Sequence, residues 1–350
     1  MSWGEPEYTS NEYNLAGKVL VSGAVPNMSL DMALQIINNW RSSHYHPLNT
    51  FQRRLRLKAN SIDGSSLVAQ RIKRLSSIRH KLDRFETMRL LQMQDIGGCR
   101  AIVSTIEHLE KLVTIMASRD KARSGRGLKH KLVYEKDYIK NPKPSGYRGV
   151  HFVFKYNSDK IKIYDGLKIE IQFRTFLQHS WATAVETASI FTGQALKSSI
   201  GEQDWLRFFS LASSAMATFF EGTPLIPNTP TNSDELRNEV RKYYHLLGVA
   251  GHLRAYSEAM KILDVTEMPD THYYLLYLDA EKKIIRVTPY KQGQLEKAAA
   301  EYLDVEKSIR DKNIDAVLVS ADSVASLRKA YPNYFVDTDM FISFLNRIID

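Results

Sequence analysis

Residues 137–156 read DYIKNPKPSGYRGVHFVFKY, and residues 167–175 read LKIEIQFRT. Apolar and polar residues alternate at period two after Gly149 and again from Leu167, a pattern typical of half-buried strands. In the second run one face carries Lys168, Glu170, Gln172 and Arg174, and the opposite face is apolar. The two prolines stiffen the loop before the first strand, and Gly146 and Tyr147 place an aromatic ring there. We therefore predict two strands with a charged face, entered through a stiff loop.

The composition is that of a soluble globular protein, with 43% hydrophobic and 25% charged residues in 350. This length can bury one large core or two ordinary ones. No apolar run approaches the roughly 18 residues of a membrane span, and the N-terminus lacks the order of a signal peptide. The single cysteine, Cys99, excludes an internal disulfide and a cysteine-rich zinc site. We expect a cytoplasmic protein without membrane contact.

Positive charge is concentrated in the first two thirds of the chain. Residues 233–350 hold 16 Lys/Arg and 19 Asp/Glu, a net charge of −3, so residues 1–232 carry 32 and 20, a net charge of +12. Residues 41–90 alone hold 12 basic and 3 acidic residues. Such a field attracts polyanions, either nucleotides or nucleic acid, although a generally basic solvated surface would have the same composition.

Four segments are predicted from the local composition. Residues 1–28 are expected to form a flexible N-terminal arm, and residues 29–221 a first folded domain. Residues 222–233 contain three prolines and are predicted to be a linker. Residues 234–350 suggest strand, strand, helix, strand and helices, the order of a small α/β module with a regulatory or interaction role.

Within residues 29–221 the sequence predicts a long basic helix and a strand entered through glycines. The helix is expected from Leu67 to Leu91, and its basic residues either clamp a polyphosphate or form a solvated face. Asp95 precedes Gly97, Gly98 and a strand, where a carboxylate can meet a metal ion or make a turn. The basic residues 119–131 either fold over phosphates or form a solvated loop. Further helices are predicted at about 29–43, 48–60, 108–117, 175–191 and 203–220.

Asp95 and Glu170 form the candidate catalytic pair. Each lies at or in a strand of the same domain, so one sheet can bring them together. Mg²⁺ binds one or two carboxylates together with substrate phosphates, and the basic residues nearby can neutralise the remaining phosphate charge. This combination fits phosphoryl or pyrophosphoryl transfer, in which positioning and charge neutralisation carry the catalysis. The sequence contains neither a Walker-type loop nor a kinase catalytic loop.

Four sequence blocks in this order resemble the RelA/SpoT family of (p)ppGpp (alarmone) synthetases, over about residues 30–200. The first is RIK at residues 71–73 with Lys81, and the second is DIGGCR at residues 95–100. The third joins DYI at residues 137–139, PKP at residues 142–144, Gly146, Tyr147 and His151. The fourth is EIQFRT at residues 170–175.

The resemblance implies a nucleotidyltransferase-like α/β (α+β) fold, with a mixed sheet flanked by helices. It also implies transfer of the β,γ-pyrophosphate of ATP to a ribose 3′-hydroxyl, with release of AMP. Asp95 would bind Mg²⁺, and Glu170 would be either the second metal ligand or the base for the hydroxyl. Carried over residue by residue, the ATP phosphates would be bound by Arg71, Lys73, Lys81 and Arg100. The acceptor would be bound by Lys143, His151, Gln172, Arg174 and Glu186, with Tyr147 stacked on its base.

Three functions remain open at this point. The protein is an alarmone synthetase with GDP or GTP as acceptor, a toxin that modifies the 3′ end of tRNA, or a nucleotide- or RNA-binding module without catalysis. In the second case the C-terminal module would be a built-in antitoxin. The histidine and lysine that usually follow the glutamate in the family are absent, and Gly149 replaces a frequent serine, both on the acceptor side. Whether the chain is a monomer or a homo-oligomer is also left open by the sequence.

Overall fold

The computed structural model describes residues 4–118, 130–192, 196, 202–259, 261–263, 270–279, 281–308, 314–321, 323–335 and 337–350. The helices are α1 Ser10–Ser22, α2 Leu30–Ser42, α3 Tyr45–Ile62, α4 Leu75–Arg84, α5 Ile106–Ala117, α6 Phe176–Thr192, α7 Gln203–Met216, α8 Ser233–Leu246, α9 Val249–Ala259, α10 Leu295–Ser308, α11 Val324–Ala330 and α12 Asp339–Ile349. The strands are β1 Leu67–Ile72, β2 Gly97–Val103, β3 Lys131–Asp137, β4 Val150–Lys155, β5 Lys168–Thr175, β6 Lys261–Leu263, β7 Thr271–Asp279, β8 Ile284–Lys291 and β9 Ile314–Ser320.

These strands form one mixed sheet in the order β3-β4-β5-β2-β1-β9-β7-β8-β6. β2 and β5 are parallel, as are β6 and β8, and the other neighbouring strands are antiparallel. Helices pack against the sheet, so the predicted α/β (α+β) class with a mixed sheet flanked by helices is confirmed. No helix in the described part of the chain combines the length and apolarity needed to cross a membrane.

The two strands predicted from period two are β4 and β5, and they pair directly. His151 lies opposite Gln172, and Phe152 lies opposite Ile171. The apolar residues of both strands are buried with residues of α3 and α5, among them Phe51 and Leu112. Burial of this face fixes the register, because a slip of one residue would bring the charged face into the core.

The helix predicted over Leu67–Leu91 is confirmed only over Leu75–Arg84, and both its first and its last part are wrong. Leu67–Ile72 is strand β1, which pairs with β2 on one side and with β9 on the other. The helix α4 begins only at Leu75. The apolar residues of this segment have helical spacing as well as strand alternation, and the neighbours that select the strand lie elsewhere in the sequence.

The N-terminal segment is not the irregular arm that we expected over residues 1–28. Its central part is helix α1, which begins with a capping box between Thr9 and Glu12. Tyr13, Ala16 and Val19 pack into a core with residues of α2 and α4.

From β7 onward the C-terminal elements follow the predicted order, whereas the short strand β6 was not predicted, and the strands extend the sheet of the first domain. Gln70 of β1 pairs with Ser320 of β9, and Arg71 pairs with Val319. α12 packs against α6, α7 and α8, and buries Phe341 and Leu345. The predicted linker is irregular, and Ile226 within it is buried, with its backbone N–H bonded to the Ser214 hydroxyl.

Candidate active site

The sheet brings most of the predicted site residues onto one face. Gly98 of β2 pairs with Arg71 of β1 on one side and with Glu170 of β5 on the other. Two residues further along β2, Arg100 pairs with Gln172 of β5. Paired residues in neighbouring strands point to the same side of a sheet. A methyl group at Gly98 would meet only the Arg71 carbonyl, at 4.0 Å, so the space between Arg71 and Glu170 is open. The arrangement leaves room for a ligand between a cation and a carboxylate.

Asp95 lies at the start of β2, where two lysines bind it. Lys73 Nζ is 2.7 Å from one carboxylate oxygen, and Lys81 Nζ is 3.0 Å from the other. Burial alone would raise the pKa of Asp95, but the two ammonium groups outweigh it and hold this pKa at about 2. Burial also lowers the pKa of Lys73, against the effect of Asp95. Asp95 is therefore ionised at neutral pH and is already surrounded by positive charge.

A closed network of hydrogen bonds surrounds Glu170. His151 Nδ1 is 2.9 Å from Glu170 Oε1, and Gln172 Nε2 donates to Oε2 at 2.8 Å. Arg174 Nη2 donates to Gln172 Oε1 at 3.2 Å and to the Tyr147 hydroxyl at 2.9 Å. The Tyr147 hydroxyl lies 2.5 Å from His151 Nε2, which closes the ring. Five residues predicted as acceptor or catalytic groups thus hold one another in position.

The charges in this network shift two pKa values in opposite directions. Burial would lower the pKa of His151, but Tyr147 and Glu170 outweigh it and raise this pKa. Burial would raise the pKa of Glu170, but the hydrogen bond and charge of His151 lower it. At neutral pH Glu170 is therefore an ionised carboxylate beside a histidine that readily accepts a proton.

Three arginines form the cationic side of the site. Burial, together with the charges of Arg174 and Arg71, lowers the pKa of Arg100 to about 10. The Nε atoms of Arg100 and Arg174 are buried and make no hydrogen bond within the described part of the chain. Buried N–H groups without a partner are costly, so these two groups are suited to donate to an anionic ligand. The charge of Glu186 opposes the shift at Arg100, which places Glu186 on this side of the site.

The loop before β4 is packed tightly against α6 and α7. Gly146 has a φ of +96°, and an added methyl group would lie 2.5 Å from a ring carbon of Trp181. Ser213 on α7 donates to the Gly146 carbonyl at 2.7 Å, and Trp181 Nε1 donates to the Phe209 carbonyl at 2.8 Å. A glycine is required at this position because both the backbone conformation and the space exclude a side chain.

Tyr147 is only 5% exposed, and its ring faces cations. Lys143 Nζ and the Arg174 guanidinium each lie 5.0 Å from the ring centroid. Tyr138 packs edge-on against Tyr147, and Lys143 lies 4.4 Å from its ring centroid. The aromatic group predicted to stack on a base is thus present, and cations contact its ring in this conformation.

Asp95 and Glu170 are the carboxylates that fit Mg²⁺. Asp95 acts on the pKa of Glu170, so the two charges are near each other. No group of three or more His, Cys, Asp or Glu suited to a metal occurs among the residues that the structure describes. Two carboxylates completed by substrate phosphate oxygens are a usual Mg²⁺ environment, so this donor set fits a metal that arrives with a nucleotide.

Sequence reasoning missed three residues beside the cationic cluster. Burial and the charges of Arg100 and Arg174 lower the pKa of His179 well below its usual range, so this histidine is neutral. Its signal was the seven-residue spacing from Glu186 on α6, which puts both on one helix face. Tyr331 and Tyr334 from the C-terminal part lie near Arg71 and raise its pKa, against the effect of burial. No local signal marks these tyrosines.

Most of the predicted basic loop, residues 119–129, lies outside the described residues.

Two sequence comparisons cover this region. Residues 70–194 match a family model described as a region found in RelA / SpoT proteins. GTP pyrophosphokinase YwaC of Bacillus subtilis (strain 168) is 31% identical over 118 residues, which are 32% of this chain and 52% of that protein. GTP pyrophosphokinase YjbM of the same organism is 29% identical over 118 residues, which are 33% and 52%. The chain thus spans about half the length of these relatives.

Solved structures of similar proteins align at low scores. Small alarmone synthetase 1 of Bacillus subtilis bound to its product pppGpp has a TM-score of 0.41 and 22% identity, covering 52% of this chain and 92% of that one. A GTP pyrophosphokinase family protein from Streptococcus pneumoniae has a TM-score of 0.40 and 21% identity, covering 65% and 95%.

The family model includes every predicted site residue from Arg71 to Glu186. The order of the four sequence blocks and the match of the family model agree. Residues 70–194 thus carry a region found in RelA / SpoT proteins, in the part of the chain where the four sequence blocks lie.

Proposed function

We propose that this protein transfers the β,γ-pyrophosphate of ATP to the ribose 3′-hydroxyl of GDP or GTP, making (p)ppGpp and AMP. The observation that carries the proposal is the sheet face on which Glu170 lies between Arg71 and Arg100 on one side and the Tyr147–His151 pair on the other. A site with cations at one end and an aromatic, hydrogen-bonding end suits two nucleotides. The names of the two Bacillus subtilis relatives support the same reaction class.

The ATP side consists of Arg71, Lys73, Lys81 and Arg100. Their charges neutralise the triphosphate, and the unpartnered Nε of Arg100 gives a donor to a phosphate oxygen. Asp95 and Glu170 would hold Mg²⁺, and a bound ion would neutralise and polarise the phosphate oxygens. Lys73 and Lys81 leave the Asp95 carboxylate for the phosphates as ATP binds.

The acceptor side consists of Lys143, Tyr147, His151, Gln172 and Arg174. The acceptor base stacks on Tyr147 by taking the place of a cation that contacts its ring. Glu170 would be the second Mg²⁺ ligand or the base for the 3′-hydroxyl, and His151 and Gln172 hold its carboxylate in place. Its lowered pKa favours the ligand role over that of general base, because a weakly basic carboxylate takes a hydroxyl proton poorly.

A second candidate acceptor is the 3′ end of tRNA. The observation in its favour is the net charge of +12 on residues 1–232, which suits many phosphates as well as a few. Binding of tRNA would weaken steeply with added salt, whereas binding of a guanine nucleotide would show a shallow dependence.

Label transfer from ATP tests both candidates. The full chain with Mg²⁺ and ATP labelled at the β or γ phosphate is offered GDP, GTP, ATP or deacylated tRNA. Label on GDP or GTP supports the proposal, and label on tRNA alone replaces it with the second candidate. Glu170→Gln is the control, and it should abolish transfer while the circular dichroism spectrum stays unchanged. Transfer at the normal rate by this variant would overturn the site assignment.

A further inference from the structure

One carboxylate from the C-terminal part contacts the turn that joins β1 to α4. Glu306 on α10 accepts the backbone N–H of Leu75 through Oε1, at 2.8 Å. Its Oε2 lies 2.7 Å from Arg41 Nη1 on α2. Arg41 Nε in turn donates to the Lys73 carbonyl at 3.0 Å. Glu306 therefore holds one end of the turn directly and the other end through Arg41.

The Leu75 contact supplies a helix cap that the local sequence lacks. Leu75 is the first residue of α4, and the preceding residue, Arg74, makes no capping bond with its side chain. The first N–H groups of a helix have no acceptor within the helix, and a negative charge there is favourable. Glu306, more than 200 residues away in sequence, fills this role.

The ion pair with Arg41 is almost completely buried. The side chains of Arg41 and Glu306 are 3% and 6% exposed, and the Arg41 guanidinium lies 5.1 Å from the centroid of the Tyr302 ring. Burial would lower the pKa of Arg41, but the charge of Glu306 outweighs it and raises this pKa. If the carboxylate is removed, the guanidinium stays buried without a counter-charge, and nothing offsets the free-energy cost of its desolvation. Removal of either partner alone is therefore destabilising.

The turn and helix held in this way present the lysines of the ATP side. Lys73 lies in the turn, Lys81 lies on α4, and both contact Asp95. We propose that Glu306 is a positioning residue for these two lysines, so that the C-terminal part completes the ATP side of the site. The inference rests on the proposed function only for the identity of the nucleotide.

Calorimetric binding of ATP to the full chain, without acceptor, tests the proposal. Glu306→Gln keeps the shape of the side chain but removes its charge. We expect its dissociation constant for ATP to rise about tenfold, the effect of one weakened charge-assisted bond. The KM for the acceptor should stay within about twofold, because Glu306 bonds Leu75 and Arg41, whereas His151 bonds Tyr147 and Glu170. Glu301→Gln is the matched control, since Glu301 lies on the same helix and bonds Tyr290.

A second variant separates positioning from stability. Replacing the pair together, Arg41→Met with Glu306→Met, removes both buried charges and should restore the melting temperature toward that of the wild type. Its affinity for ATP should stay low, because the cap and the Lys73 contact are both lost. ATP affinity that returns with the melting temperature would overturn the positioning role, as would unchanged affinity in Glu306→Gln. Wild-type protein that binds ATP but transfers no label contradicts only the proposed function. Wild-type protein that binds no ATP overturns both.

Discussion

At the scale of single residues, the state of Asp95 makes a pH-dependent prediction. Its pKa of about 2 in the folded protein lies below the ordinary value of 3.8. A lowered pKa stabilises the folded state above the unfolded pKa, and this contribution is lost as pH falls through the folded pKa. We expect the free energy of unfolding of the wild type to exceed that of Asp95→Asn by about 2 kcal/mol at pH 6, from the size of the shift.

Urea unfolding of both proteins between pH 6 and pH 3 measures this difference. The gap should narrow as pH falls below about 4, because the unfolded aspartate then takes up a proton. A gap that stays constant over this range would contradict the assignment of the two lysines as the cause. Asp95→Asn should also lose label transfer, because the proposed Mg²⁺ site then lacks one of its two carboxylates.

Tyr147 is predicted to act through its ring and its hydroxyl separately. Tyr147→Ala removes the ring, so the KM for the acceptor should rise by about tenfold or more, the usual effect of losing a base stack. Tyr147→Phe keeps the ring but loses the bonds to His151 and Arg174, so its KM for the acceptor should lie between those of the wild type and Tyr147→Ala. ATP affinity, measured by calorimetry, should change by less than about threefold in both, because neither removes an ATP contact. Equal losses for ATP and acceptor would refute the stacking role.

At the scale of elements, period-two alternation was sufficient for β4 and β5 but not for β1. For β4 and β5 the alternation predicts which face is buried and which is exposed, because the apolar face packs on helices of the same domain. β1 was misread as helix because Leu67, Ile72 and Leu75 also fit a helical stripe, and its partner β9 lies about 250 residues away in the sequence. Helix α1 could have been found, since Thr9 and Glu12 form a readable capping box.

The loop before β4 gives a prediction about its own packing. Gly146→Ala adds a methyl group 2.5 Å from Trp181 and forces a side chain into a φ of +96°. We expect a loss of about 3 kcal/mol in the free energy of unfolding, from strain and overpacking together. Gly64→Ala is the control, because a methyl group there meets nothing within 4 Å. Chemical denaturation compares the free energies of unfolding of the two variants. Similar small losses in both would mean that the loop rearranges to accommodate the methyl group and would contradict the prediction.

At the scale of the whole molecule, the sequence suggested two parts and a linker, whereas the sheet is continuous. The contacts between the parts, such as Arg41 with Glu306 and Arg74 with Asp315, join residues more than 200 positions apart. No local pattern marks such pairs, since each residue reads as an ordinary surface charge. The candidate site residues could be proposed from the sequence because they come in short blocks, whereas the position of Tyr331 and Tyr334 near Arg71 could not.

A continuous sheet predicts that residues 1–232 are unstable alone. Removing the rest would leave β1 as an edge strand without β9, and would expose the core residues of α6 and α7 that α12 covers through Phe341 and Leu345. We expect the fragment to melt more than about 10 °C below the full chain, or without a cooperative transition, because several kcal/mol of burial is lost. The control is co-expression of residues 1–232 with residues 233–350, which should associate and regain cooperative melting, since together they supply both surfaces. A fragment that melts like the full chain would instead establish two independent domains, and Glu306 would then have no part in holding the ATP side.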